Sequence, residues 1–149
     1  MSVSLTLRSL QRAWVGSSTR VPLAGSRALH ATSRRSEQYP NADLVTFNKV
    51  VGTQDRIVLV DFYADWCGPC RQLSPILEKI STDSSIKSGS GLPIDVLKID
   101  TENEQVLPLA QQYKVRALPT VVAFRNGEAV GNFVGMLGED GVKRFLQTV

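Results

Sequence analysis

Two cysteines and one histidine are all that the 149 residues hold of the soft ligands and neutral-pH bases, and the histidine, His30, lies near the N-terminus. From Glu37 onward there is none. A structural zinc site needs about four such ligands. Cys67 and Cys70 supply at most half of one, which a second chain would have to complete. The same absence excludes a cysteine–histidine nucleophile. No apolar run approaches the roughly 20 residues that cross a bilayer. The longest strand-like run, Ile57 to Ala64, is broken by Asp61. There is no internal repeat. What remains has the size of about one domain, and 42% hydrophobic with 21% charged residues fits a soluble globular fold.

Acid is missing from the first 36 residues, which carry six arginines, eight serines and no lysine. The remainder, 37–149, has 11 basic residues against all 14 acidic ones, a net −3. The basic balance of the whole chain therefore belongs to its start, and the body gives no reason to expect nucleic-acid or membrane binding. If helical, Leu5, Leu7, Leu10, Trp14 and Val15 form an apolar stripe with Arg8 and Arg12 beside it. That describes a mitochondrial transit peptide rather than a secretory signal with a continuous apolar centre. A negative-inside potential draws such a helix with roughly 2.3 kcal/mol per charge per 100 mV. The alternatives are a plastid transit peptide and a basic arm for nucleic acid or anionic lipid. Arg27 to Thr32, RALHAT, resembles the processing signal of matrix precursors, with arginine about ten residues ahead of the mature end. The expected organisation is a cleaved transit segment, 1–36, cut near Ser36/Glu37, and one domain, 37–149.

The body alternates in type. Asp43 to Val51 carries Leu44, Phe47, Val50 and Val51 on one helical side. Ile57 to Tyr63 reads as a strand buried on both faces. Gly68 to about Ser84 reads as a helix with Pro75 inside it, where a kink is expected. Ile94 to Ile99 is a second strand, Glu104 to Tyr113 a second long helix, and Thr120 to Phe124 a third strand. Asn126-Gly127 is the preferred dipeptide of a tight hairpin, returning through Glu128 to Val134. Gly138 to Val149 closes with an amphipathic helix. An edge strand between Glu37 and Asp43 is weakly marked. Parallel strands linked by helices, then a hairpin, imply an α/β fold with a mixed sheet covered on both faces.

Cys67 follows the buried strand and begins a helix, where free N–H groups and the macrodipole favour an anion. The thiol pKa falls there and the thiolate becomes the nucleophile. Cys70 lies one turn on, at the same side. Cys67 can attack a substrate disulfide, and Cys70 can then displace the substrate. Pro69 suits the first helical turn and stiffens the pair. A purely structural bridge between positions this close would close too short a loop to stabilise much. Redox chemistry is the favoured reading.

Asp61 is the second anomaly. In a strand buried on both faces an acid is protonated or partnered; the alternative is a strand edge facing water. It lies six residues before Cys67, across the strand-to-helix connection, so it could sit beneath the thiols. A carboxyl with a raised pKa there could take the proton from Cys70. Lys98, on the neighbouring strand, could hydrogen-bond or pair with it.

These residues carry a resemblance. VDFYADWCGPC at 60–70, Pro75, KID at 98–100, YKVRALPT at 113–120, FRNG at 124–127 and FVG at 133–135 make the chain from about Asn41 to Val149 similar to the thioredoxin family. Tyr63 stands where many members have tryptophan, and Arg71 where lysine is commoner. The resemblance implies the thioredoxin fold, a central mixed sheet with helices on both faces. It implies a protein-disulfide reductase, an enzyme recycled by NADPH-dependent thioredoxin reductase, with no bound cofactor. Cys67 would be the nucleophile, Cys70 the resolving thiol, and the two would form a reversible disulfide. Asp61 and Lys98 match the family's buried acid and its lysine. Pro119 matches a proline with a cis bond, turning Leu118 toward the thiols to pair with an extended client segment. Trp66, Gly68, Pro69, Leu118, Pro119, Val134, Gly135 and Met136 would form the client surface, with Gly135 permitting close backbone approach.

Implied partners are thioredoxin reductase and disulfide-containing clients such as peroxiredoxins; with the leader, a monomer in the mitochondrial matrix is expected. The competing functions are a secretory oxidase or isomerase, whose relatives usually carry histidine between the cysteines, and a scaffold without turnover.

Overall fold

A computed structural model describes residues 36–149. The expected transit segment, apart from Ser36, lies outside the described residues. The elements are β1 (Gln38–Tyr39), α1 (Leu44–Val51), β2 (Ile57–Tyr63), α2 (Gly68–Thr82), β3 (Ile94–Asp100), α3 (Leu107–Gln112), β4 (Thr120–Arg125), β5 (Glu128–Val134) and α4 (Glu139–Leu146). They form one five-stranded sheet in the order β1-β3-β2-β4-β5. β1 and β2 run parallel to β3, while β4 runs antiparallel to both β2 and β5. This is the expected mixed sheet, with β2 at its centre.

The period of two along a strand sorts the core into two layers. Val58, Val60 and Phe62 pack with Phe47 and Val50 of α1 and Leu109 of α3. Ile57 and Leu59 pack with Leu73, Leu77 and Ile80 of α2 and Val142 and Leu146 of α4. Val58, Val60 and Phe62 are at most 1% exposed, and so are Ile57 and Leu59, so β2 is covered on both sides, as its unbroken apolar run implied. Aromatic edges lock the first layer, with Phe124 T-shaped against Tyr113 at 5.1 Å. The alternation also places Asp61 on the α2 side of the sheet and Asp95 of β3 on the other.

Three expectations shift. The edge strand exists but is only Gln38–Tyr39. The second long helix begins at Leu107 rather than Glu104. Asp100 Oδ1 accepts from the Glu102 amide and Asn103 Oδ1 from the Gln105 amide, each at 3.0 Å. These side chains offer the backbone turns in place of helix. The last helix ends at Leu146, with Val149 beyond it still buried. At the hairpin, Asn126 and Gly127 have φ of 54° and 86°, the paired left-handed geometry that favours this dipeptide.

Candidate active site

β2 emerges from the sheet into Ala64, Asp65 and Trp66, and Cys67 caps α2. Its sulfur accepts the amide of Cys70 at 3.2 Å, so a free donor of the first turn points at it. Pro69 occupies the opening turn, where its missing N–H costs nothing. Cys67 and Cys70 are joined in a disulfide, S–S 2.09 Å, with Cα atoms 5.3 Å apart. The spacing thus does bring both sulfurs to one side. Both are nearly covered, Cys67 at 4% exposure and Cys70 at 1%.

Ala64, Tyr63 and Leu118 pack against the sulfur pair. The Leu118–Pro119 peptide is cis. Pro119 O accepts the Gly135 amide at 2.8 Å, tying the loop after β5 to the loop before β4. Gly135 has φ of 88°, and nothing lies within 4 Å of where its Cβ would be. Conformation, rather than crowding within the chain, requires glycine there. Val134 and Met136 flank it, 57% and 41% exposed. Gly68 is half-buried at the start of α2 and Pro69 exposed. Trp66 is 67% exposed, and its indole N–H donates to Glu102 Oε1 at 2.8 Å. Exposed apolar groups therefore ring a nearly covered disulfide.

Beside this rim runs a groove of about 340 Å³, lined by Trp66, Leu107, Val115, Arg116 and Leu118 among others. Sequence reasoning missed Glu102, Leu107, Val115 and Arg116. Only Val115 and Arg116 had a signal, their place in YKVRALPT just ahead of the cis proline.

Asp61 is fully buried, and neither carboxyl oxygen has a hydrogen-bond partner among the described residues. Burial drives its pKa from 3.8 up to about 7, and the Lys98 charge pulls it partly back. Asp61 and Lys98 face each other in register. The expected bond between them is absent, however. Lys98 Nζ donates instead to Ser74 Oγ of α2 at 2.9 Å and lies 4.5 Å from the Tyr63 ring centroid. Lys98 acts on Asp61 through its field rather than by contact, and its ammonium keeps a neutral hydroxyl partner.

A cysteine at a helix start, bonded to a second one turn on, with Leu118 of a cis Leu118–Pro119 peptide packed against the pair, on a mixed sheet covered on both faces, defines a thiol–disulfide oxidoreductase. A family model described as Thioredoxin matches residues 40–148. The chain belongs to the thioredoxin family. Mitochondrial thioredoxin of Rattus norvegicus is 36% identical over 146 residues, spanning 97% of this chain and 82% of the rat protein. Chloroplastic thioredoxin Y of Oryza sativa is 38% identical over 121 residues, spanning 78% of this chain and 67% of its own length. A solved mutant thioredoxin from Halobacterium salinarum superposes with a TM-score of 0.62 at 34% identity, covering 78% of this chain and 92% of its own. Thioredoxins need no bound cofactor, and the family implies thioredoxin reductase and disulfide-containing substrates.

Proposed function

We propose that the chain is a protein-disulfide reductase of the mitochondrial matrix, working as a monomer through Cys67 and Cys70. The observation that carries this is the sulfur of Cys67 at the first turn of α2, accepting the Cys70 amide, while an unpartnered Asp61 lies buried on the α2 side of the sheet. In the reduced protein the helix start favours the Cys67 thiolate. That thiolate attacks one sulfur of a client disulfide. A Cys67–client bond forms and the client's other sulfur leaves as a thiolate. Cys70 then passes its proton to Asp61 and attacks Cys67 Sγ. The mixed disulfide breaks, the client leaves with two thiolates that take up protons from Asp61 and from solvent, and the Cys67–Cys70 bond holds the oxidation. A carboxyl that titrates near 7 suits this proton exchange at neutral pH. Trp66, Gly68, Pro69, Leu118, Val134, Gly135 and Met136 form the surface on which an extended client segment lies, with Pro119 presenting the backbone of Leu118. Lys98 keeps the Asp61 charge change in reach of neutral pH.

Thioredoxin reductase returns two electrons from NADPH to the disulfide, and disulfide-bearing proteins such as peroxiredoxins are the clients. The acid-free, arginine-rich segment 1–36 supports import and removal near Ser36/Glu37, as do rat, mouse and bovine relatives described as mitochondrial. A chloroplastic relative supports the plastid as the second destination. Import into isolated mitochondria and plastids decides between them. For the chemistry, the protein should reduce insulin disulfides when given NADPH and thioredoxin reductase. Cys70→Ser should abolish that turnover and accumulate covalent adducts through Cys67. Turnover without Cys70, or an absence of adducts, would remove the two-step exchange.

A further inference from the structure

Glu37 and Gln38 make more bonds than a two-residue strand requires. The Glu37 amide donates to Asp95 Oδ1 at 2.7 Å, and its carbonyl accepts from the Val96 amide at 3.0 Å. Gln38 Nε2 donates to Ser81 Oγ at 2.7 Å and to Glu78 O at 3.1 Å, both on α2. Asp95 is 3% exposed, and so is Arg56, which grips it through Nε at 2.5 Å and Nη2 at 2.6 Å. The Glu37 carboxylate accepts the Tyr39 hydroxyl. The Glu37 nitrogen is thus held against a buried carboxylate, at the very residue that the expected cut would make the first.

We propose that the buried Asp95–Arg56 pair is the receptor for the α-ammonium group of Glu37, created when 1–36 is removed. This rests on the processing reading above. Hydrolysis breaks the Ser36–Glu37 C–N bond. Ser36 takes the water oxygen as its carboxylate, and the Glu37 nitrogen takes protons to become an ammonium. In the uncut chain that nitrogen is a neutral amide with a single hydrogen. After the cut the same atom is a cation with about three, and the contact to Asp95 becomes a charge-assisted hydrogen bond, roughly twice as strong. The added charge is offset by Asp95, which accepts the Glu37 nitrogen, and by the carboxylate that Glu37 itself carries, which accepts the Tyr39 hydroxyl. A buried charge is tolerated only when compensated in this way. Removal of the leader therefore fastens the start of β1 to β3, beside the bonds that Gln38 already makes to α2. The chain that still carries its leader is the looser form, which is the form that must be threaded through a membrane.

The test uses the full chain with a specific protease site engineered ahead of residue 37, so that cutting leaves Glu37 first. The thermal midpoint should rise on cutting by about 4 °C. A site that leaves Ser36 first should give no rise, and Nα-acetylation of the Glu37 terminus should cancel it. Asp95→Asn should also cancel it; where that variant fails to fold, the acetylated protein decides. The terminal amine should titrate above its ordinary range of roughly 7.7–8.0. Equal midpoints for all forms, with an ordinary amine titration, overturn the receptor. N-terminal sequencing after import into mitochondria separates the two readings: a cut away from Ser36/Glu37 overturns the processing on which the receptor depends.

Discussion

Asp61 of β2 and Asp95 of β3 are 0% and 3% exposed, on adjacent strands, and face opposite layers of the sheet. Asp95 receives donors from Arg56 Nε, Arg56 Nη2 and the Glu37 amide, all within 2.7 Å. Asp61 receives none among the described residues. Burial sets the cost of a charge, but donors decide whether a carboxyl keeps it. The satisfied aspartate ties the edge of the sheet together. The unsatisfied one is pushed to titrate at about 7, where a proton can be given and taken. The same side chain, equally hidden, is structural on one face and suited to proton transfer on the other.

The comparison can be broken first at Asp95. Arg56→Met strips its main partner and should cost about 3–5 kcal/mol of stability. Urea unfolding at neutral pH reads this. A stability unchanged by the substitution would mean that the pair contributes nothing.

Asp61→Asn sharpens the other side. Asp61 is raised from 3.8 to about 7 on folding, so the folded state holds its proton through that window while the unfolded chain has released it. The oxidised wild type should therefore lose stability as pH rises from about 4 to 7. The asparagine variant should lack that loss and be more stable at pH ~8, by on the order of 2 kcal/mol once its own unpaired amide is counted. Below pH ~4 the order should reverse, because the wild-type carboxyl is neutral in both states while the variant still carries the cost of its unpaired amide. The variant should also resolve mixed disulfides more slowly at neutral pH. Parallel stability profiles would show that burial does not raise the Asp61 carboxyl.

The smallest expected effect is at Lys98. Lys98→Met removes the one charge among the described residues that lowers the Asp61 pKa, so Asp61 should titrate somewhat above 7. The change is modest because burial is the larger cause and the ammonium rests on Ser74. Carbon-13 detection of the carboxyl reports it directly, and an unmoved titration would show that Lys98 serves Ser74 and Tyr63 alone.

Much of the site was legible beforehand. The WCGPC spacing required a helix start and a shared side, and an acid within an apolar strand required a special role. α3 was misread because the turns held by Asp100 and Asn103 compete with a helical pattern that looked continuous. Lys98 was matched to the right neighbour yet given a contact it does not make. Its ammonium was captured by Ser74, 24 residues earlier in the chain. Arg56 and Asp95 offered no pattern at all, being 39 residues apart.

By itself the sequence determined the helix start at Cys67, the hairpin at Asn126-Gly127 and the two-faced burial of β2. Those depend on sterics, capping and periodicity, which act over a few residues. Only the tertiary structure decided which buried aspartate is satisfied by donors and which has none among the described residues. That choice depends on donors brought from distant segments, and no local pattern records which donors arrive.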